Sequence, residues 1–469
     1  MAPTEATPLQ DVRDPDAPFL KMEGEFGLFR RWFVIGMAGL SVGLAYIMRI
    51  DLSVAVRDMP IVYGWEATWN GPLLASFFLG YMVASPFSGG LALRFGPWRM
   101  LGFIVFVTGT LNALIPLVAS SPAMVMALRI VFGAVQSGTL PCCYQLLTVW
   151  ALPSETSRGV AALNILGFTG GAFSGFMLAE LLIAIGQPPE LASIDHYAGA
   201  PTTAPSRVDV YPGIQLVFWV PSLLAVIWCT VWLLFVPERS EELRAQGSGG
   251  AGAKEASSRH GIATWSSLLT KPALWALYAA HFADHFVMYG LLTELPLFLR
   301  SRHKDATVTL AAETLPYVFN MMTTLLVAPF ADGLVARGTD RTIVRKTFQG
   351  IAMIGASVGL LAASFCSFEG PSVVAFTCLS MGMLACRTAG GLAGFLEVCP
   401  HHAGQAYAVS NTVATLPGVF APLLAQVLTT QLGDVAGFRV AFAIYGFGAS
   451  IPALLLFVSC FSSEPVKVD

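Results

Sequence analysis

Runs of apolar residues, most of them at or beyond the ~20 positions needed to cross a bilayer, recur along this chain with short polar connectors between them. They extend from Phe33 to Val56, Gly71 to Leu91, Leu101 to Ala119, Ala123 to Trp150, Gly159 to Ile185 and Gly213 to Val236. After a break they resume from Ala273 to Leu299, Leu310 to Phe330, Thr347 to Phe365, Val373 to Leu396, Gly404 to Leu428 and Val440 to Cys460. None shows the period-two alternation of barrel strands, so the pattern predicts twelve transmembrane helices in an all-α membrane protein. The polar interruption from Pro237 to Ser267 is rich in Gly, Ser and charge, as flexible linkers are, and it divides six runs from six. The expected organisation is a disordered cytoplasmic tail over 1–29, a six-helix bundle over 30–236, a cytoplasmic linker over 237–271, a second six-helix bundle over 272–460 and a short cytoplasmic tail over 461–469.

Composition strengthens this picture. Hydrophobic residues are 55% of the chain and charged residues 12%, with a mean hydropathy of +0.67, against about 25% charged in soluble domains. Lys and Arg in the connectors set orientation, because positive residues stay on the cytoplasmic side. With both termini inside, 17 of the 26 basic residues fall in inner segments and 6 in outer connectors. Both termini are therefore expected in the cytoplasm. The connectors are too short to form a nucleic-acid platform. The acidic first segment (Glu5, Asp11, Asp14, Asp16, Glu23, Glu25) lacks the apolar core of a signal peptide. The eight cysteines lie in or at the edge of apolar spans, so disulfides are not expected.

The remaining three basic residues, Arg49, Arg129 and Arg387, lie inside apolar runs. An unpaired charge in hydrocarbon costs several kcal/mol, so each implies an anion, either a protein carboxylate or a bound solute, or satisfaction by backbone carbonyls. By helical spacing Arg49 shares a face with Tyr46 and Ser53, and Arg129 with Gly133 and Gln136. Asp51, two residues from Arg49, points elsewhere. In the seventh run His281, Asp284 and His285 follow at i, i+3 and i+4 and form a polar stripe suited to titration. The same spacing suits a metal less well, since the His-Glu-x-x-His order is missing. No nucleophile motif, phosphate loop or dinucleotide fingerprint occurs, so neither enzyme chemistry nor a cofactor is expected. Glu180, Glu294 and Glu397, near helix ends, read as snorkelled or capping carboxylates.

The halves echo each other. Gly89 to Arg99, with Arg94 and Gly96, follows the second run, and Pro329 to Gly338, with Asp332 and Arg337 and continuing to Arg345 and Lys346, follows the eighth. Such basic, Gly-containing turns resemble the loop signature of the major facilitator superfamily. That signature's Asp is Leu93 in the first copy and Asp332 in the second, so a gating ion pair is expected to be stronger in the second half, with Arg94, Asp332 and Arg345 as gating residues. Further stretches resemble the anion:cation symporter family within that superfamily, the family of sialin-like, vesicular glutamate and type I sodium/phosphate transporters. They are Tyr46 to Ala55 with Arg49, Ala75-Ser-Phe-Phe-Leu-Gly-Tyr81, Arg129 with Gly133, Pro153 to Arg158, Tyr289 to Pro296, Val344 to Gln349, and Ser410 to Gly418 with Asn411.

The resemblance implies the major facilitator fold, with a midplane cavity between the bundles lined by the first, fourth, seventh and tenth helices and exposed alternately to each side. It also implies anion-binding roles for Arg49 and Arg129, whose planar forks suit carboxylate or phosphate. Tyr46, Gln136, Tyr289 and Asn411 complete the expected substrate set, with Arg387 assisting. In the glutamate branch a Glu tied to proton coupling stands where this chain has Gln136. Coupling is expected instead from His281, Asp284 and His285. Asp284 and Arg387 lie outside the family pattern and are expected to pair, either as a static contact or as one that exchanges with substrate. The expected function is secondary active transport of a small organic or inorganic anion, coupled to protons or sodium. The alternatives are an uncoupled anion facilitator and a non-transporting receptor. The expected partners are that solute, a coupling ion and the bilayer of the plasma, lysosomal or vesicular membrane, with the protein a monomer.

Overall fold

A computed structural model describes residues 17–188, 209–236, 263–291, 306–365 and 371–468. Within them the chain is helical and no strand occurs. The long helices are α1 (Leu28–Ala55), α2 (Asn70–Phe95), α3 (Pro97–Val118), α4 (Pro122–Trp150), α5 (Pro153–Ile183) and α6 (Pro212–Phe235) in the first half. The second half contributes α7 (Pro272–Tyr289), α8 (Leu315–Ala336), α9 (Arg341–Phe365), α10 (Ser372–Val398), α11 (Pro400–Leu432) and α12 (Asp434–Cys460). Among the described residues eleven are long and apolar enough to cross a membrane. The seventh expected span is described only as far as Leu291. Large apolar side chains such as Val83, Phe87, Phe103, Leu117 and Leu234 are exposed, as lipid-facing positions in a bilayer require.

Several edges differ from the sequence expectation. The backbone helix continuous with α1 begins at Ala17, inside the segment expected as a tail. Trp265–Thr270, inside the expected linker, forms a short helix whose start is capped by the Thr264 side chain. The last segment folds back onto the second bundle, with Val466 N–H donating to the Val398 carbonyl and Ser463 N–H to Thr342. Residues 1–16, most of the linker, most of the connector from Gln187 to Pro212, and Glu294 lie outside the described residues. Seven cysteines are described and all are free.

Helix breaks shape the interior. α4 is interrupted at Ser137–Gly138, α5 carries a wide turn over Leu163–Thr169, and α10 tightens over Ala385–Thr388 before breaking at Gly390. Small residues bring neighbouring helices close. A Cβ on Gly171 of α5 would stand 2.7 Å from the Cα of Gly43 on α1, and one on Gly133 of α4 would strike the Phe77 carbonyl of α2. Between bundles, α2 packs on α11 and α5 on α8, leaving a space between α1, α4, α5, α7, α10 and α11.

Candidate functional site

That space is a cavity lined by residues of both bundles. The first bundle contributes Tyr46 and Arg49 from α1, Tyr81 from α2, Tyr144 from α4 and Asn164 and Phe168 from α5. The second contributes His281, His285, Met288 and Tyr289 from α7, Arg387 from α10, and Tyr407 and Asn411 from α11. Its walls are aromatic and, among the described residues, its cations are Arg49 and Arg387 and no carboxylate lines it.

The three intramembrane arginines have different fates. Arg49 sits in an aromatic cage, its guanidinium 4.0 Å from the Phe77 ring centre, 5.0 Å from Phe78 and 5.4 Å from Tyr46. No hydrogen bond reaches its Nε, and no carboxylate pairs with it among the described residues. Arg129 is placed differently. It is 1% exposed and lies outside the cavity, donating to the Met48 and Arg49 carbonyls of α1, each at 3.3 Å. Gly133, one turn further, shows why: it is packed against the α2 backbone at Phe77 and Tyr81, so this face of α4 is a contact face. Arg387 is 5% exposed, its Nε and Nη1 have no partner, and Nη2 reaches only the Met288 sulfur at 3.8 Å.

The remaining expected substrate residues divide between the cavity and its rim. Tyr46, Tyr289 and Asn411 line it, and Asn411 donates to the Tyr81 hydroxyl at 2.8 Å across the bundle interface. Gln136 instead lines a small annex beside Tyr46 and Arg49 and donates to the Ala45 carbonyl at 3.0 Å.

The polar stripe of α7 divides as well. His281 Nδ1 lies 2.9 Å from the Ser410 hydroxyl, and the His281 and His285 rings are 4.4 Å apart at the cavity wall. Asp284 does not face the cavity. Its carboxylate accepts from Gln349 Nε2 of α9 at 3.0 and 3.1 Å. The expected Asp284–Arg387 ion pair is not formed, because Gln349 supplies the donors and also accepts from Gly391 N–H at 2.8 Å, bridging α7, α9 and α10. Asp51 likewise turns from Arg49 and accepts from Asn112 at 2.7 Å. Among the described residues no cluster of ligands suits a metal ion.

Below the cavity, toward the end where the termini lie, the bundles are tied together. Asp332 of α8 accepts from the Ser157 and Arg158 backbone N–H groups at the start of α5, each at 3.0 Å, and from Arg158 Nε at 3.2 Å. Arg345 of α9 pairs with Glu397 of α10 at 2.6 Å and donates to the Ser157 hydroxyl at 2.8 Å and the Ala389 carbonyl at 2.9 Å. Glu397 is therefore no snorkelled carboxylate but half of a buried ion pair. Glu180, by contrast, meets Arg57 at 2.7 Å on the exposed opposite end. Arg94, expected to gate, is exposed and makes no ion pair among the described residues, consistent with Leu93 replacing the signature Asp.

Sequence reasoning missed several contributors. Tyr144 and Tyr407, from opposite bundles, stack at 4.0 Å in the cavity wall. Asn164 donates to Asn320 at 2.9 Å, joining α5 to α8 inside the wide turn of α5. The polar residues within apolar runs, Asn164 and Asn320, were the available signal.

Comparison with known proteins places this geometry. The family described as Major Facilitator Superfamily matches residues 26–422. Sialin of Ovis aries is 28% identical, the alignment covering 86% of this chain and 84% of sialin. A chloroplastic ascorbate transporter of Arabidopsis thaliana is 26% identical over 90% of this chain and 74% of its own. Vesicular glutamate transporter 3 of Danio rerio is 26% identical over 87% and 69%. These relatives bear out the resemblance to the anion:cation symporter family, and they are transporters rather than enzymes. Among solved structures, the proton:xylose symporter XylE aligns over 93% of this chain and 97% of its own with a TM-score of 0.67 at 15% identity. The fucose:proton symporter FucP aligns over 90% and 98% with a TM-score of 0.59 at 13% identity. At those identities the likeness speaks to fold.

Proposed function

This chain belongs to the major facilitator superfamily, and we propose that it moves a small anion across its membrane by alternating access, coupled to protons or sodium. The observation that carries the reading is Arg49: a guanidinium facing a cavity that no carboxylate lines among the described residues, with Nε unpartnered there. A desolvated cation of this kind complements an anionic solute, and its aromatic cage holds the fork in place without neutralising it. Sialin, glutamate and plant anion transporters among the relatives favour the same solute class.

In this reading Tyr46, Tyr289 and Asn411 orient the solute. His281 and His285 exchange protons with the cavity, and Asp284 joins them when Gln349 releases it. The bundles rock about the site, parting at the contacts of Asp332 and Arg345 when the cavity opens toward the termini. Arg129 serves by holding α1 at the level of Arg49. Proteoliposome uptake tests the proposal: Arg49→Gln should abolish anion accumulation while the protein remains folded. Undiminished uptake in that variant refutes it. A pH jump separates coupling from facilitation, since accumulation above equilibrium requires a driving ion.

A further inference from the structure

Resting on that reading of the cavity, we propose that the solute is an elongated organic dianion of the dicarboxylate class, with Arg387 receiving its second negative group. Arg387 comes from the opposite bundle to Arg49 and lines the same cavity. It is 5% exposed, and two of its three nitrogens have no hydrogen-bond partner. Its neighbours are the Met288 sulfur and the Phe168 ring, whose centre lies 5.9 Å away. Neither satisfies a guanidinium.

The local structure keeps it that way. Arg387 stands on the tight turn Ala385–Thr388, just before the break at Gly390. A Cβ on Gly390 would lie 2.8 Å from the Gln349 backbone nitrogen, so this turn is pressed against α9. Gln349 then occupies both oxygens of Asp284 and the N–H of Gly391. Asp284 is therefore engaged by Gln349 and not by Arg387, which lines the cavity.

Two forks presented to one cavity by opposite bundles, with no lining carboxylate among the described residues, match one molecule carrying two anionic groups, each held in bidentate geometry. Aromatic rings line the same cavity, among them Tyr46, Phe168, Tyr289 and Tyr407, and their faces suit a hydrocarbon or planar midsection. His281 and His285 also face the space and offer ring nitrogens at one side.

The test uses purified full-length protein and matched probes read by thermal unfolding: glutarate against its monoamide, phthalate against benzoate, and sulfate as a compact dianion. Wild type should bind each dicarboxylate about tenfold or more tightly than its matched monoanion, about 1.4 kcal/mol. Arg387→Gln should erase that preference by weakening the dicarboxylates about tenfold more than their matched monoanions, and Arg49→Gln should weaken both classes. Should Arg387→Gln not fold, Arg387→Lys decides, since losing the fork but keeping the charge must narrow the preference. Equal binding of both classes by wild type, sulfate binding as tightly as the dicarboxylates, or equal weakening of both classes by Arg387→Gln overturns the inference. Binding by none of these anions defeats instead the anion reading on which it rests.

Discussion

Replacing Asp332 with alanine removes the carboxylate that ties α8 to the start of α5. In the present arrangement Asp332 is 3% exposed and accepts two backbone N–H bonds, from Ser157 and Arg158, where the α5 helix dipole also favours a negative charge. Hydrogen bonds to a charged group contribute about 1.5–3 kcal/mol each. The lower figure applies, because water would satisfy both partners once the bundles part, so the two bonds give about 3 kcal/mol. The Arg158 side chain, 40% exposed, adds under about 1 kcal/mol. All three contacts cross between bundles, so their loss falls on the state closed at this end and not on either bundle's own fold. A shift of about 3 kcal/mol is roughly a hundredfold in the equilibrium between closed and parted states. Spin labels at Phe95 and Thr339, exposed at the ends of α2 and α8, report that distance by pulsed electron resonance in a background with native cysteines replaced. Asp332→Ala should convert a minor long-distance population into the major one, with little change in unfolding temperature. An unchanged distance distribution with a lowered unfolding temperature would sink the reasoning, since Asp332 would then serve the static fold.

Three further substitutions separate roles that look alike in the sequence. Glu397→Gln leaves Arg345 buried at 1% exposure without its partner and should destabilise by about 3–5 kcal/mol, read as a lowered unfolding temperature; replacing both residues by Met and Leu should recover much of it. Arg129→Gln should lower stability through the lost carbonyl contacts yet leave anion affinity within a few-fold, and loss of binding at unchanged stability would make it a ligand after all. Gly171→Ala should cost about 1–3 kcal/mol by forcing α5 from α1, whereas Gly36→Ala, with nothing within 4 Å of the added carbon, should be neutral or stabilising.

The helices were legible because their apolar runs match a bilayer's thickness, a constraint that tertiary contacts do not override. Their breaks were less so. The interruption at Ser137–Gly138 and the tight turn at Ala385–Thr388 sit in runs whose hydropathy is continuous, and only close packing against neighbouring helices determines where the helix yields. The direction in which a buried charge points was harder still. Arg49 and Arg129 carry the same charge and the same family resemblance, yet one faces the cavity and the other the α1 backbone. Gly133, four residues after Arg129, marked that face as a close-packed one, and weighing it against Gln136 would have separated the two. The Asp284 position followed a similar course, for spacing put it beside His281, but the amide of Gln349 on another helix captured it.

The cavity and the closing contacts turn out to share a structural element, which the separation of these residues in sequence conceals. Arg387 and Ala389 belong to one short stretch of α10. The first presents its guanidinium to the cavity, and the second gives its carbonyl to Arg345, which in turn holds Ser157 of the other bundle. On the facing side, Asn164 lines the cavity from the same helix whose first turn Asp332 caps. On the proposed reading, an anion drawn to Arg387 acts on a stretch only two residues from the closing network, with Gly390 and Gly391 held against Gln349 of α9 beside it. In a packed interior, small shifts are resolved by switching between arrangements and not by gradual deformation. Solute binding at the centre is thus placed to bias the contacts that decide which end of the cavity is open.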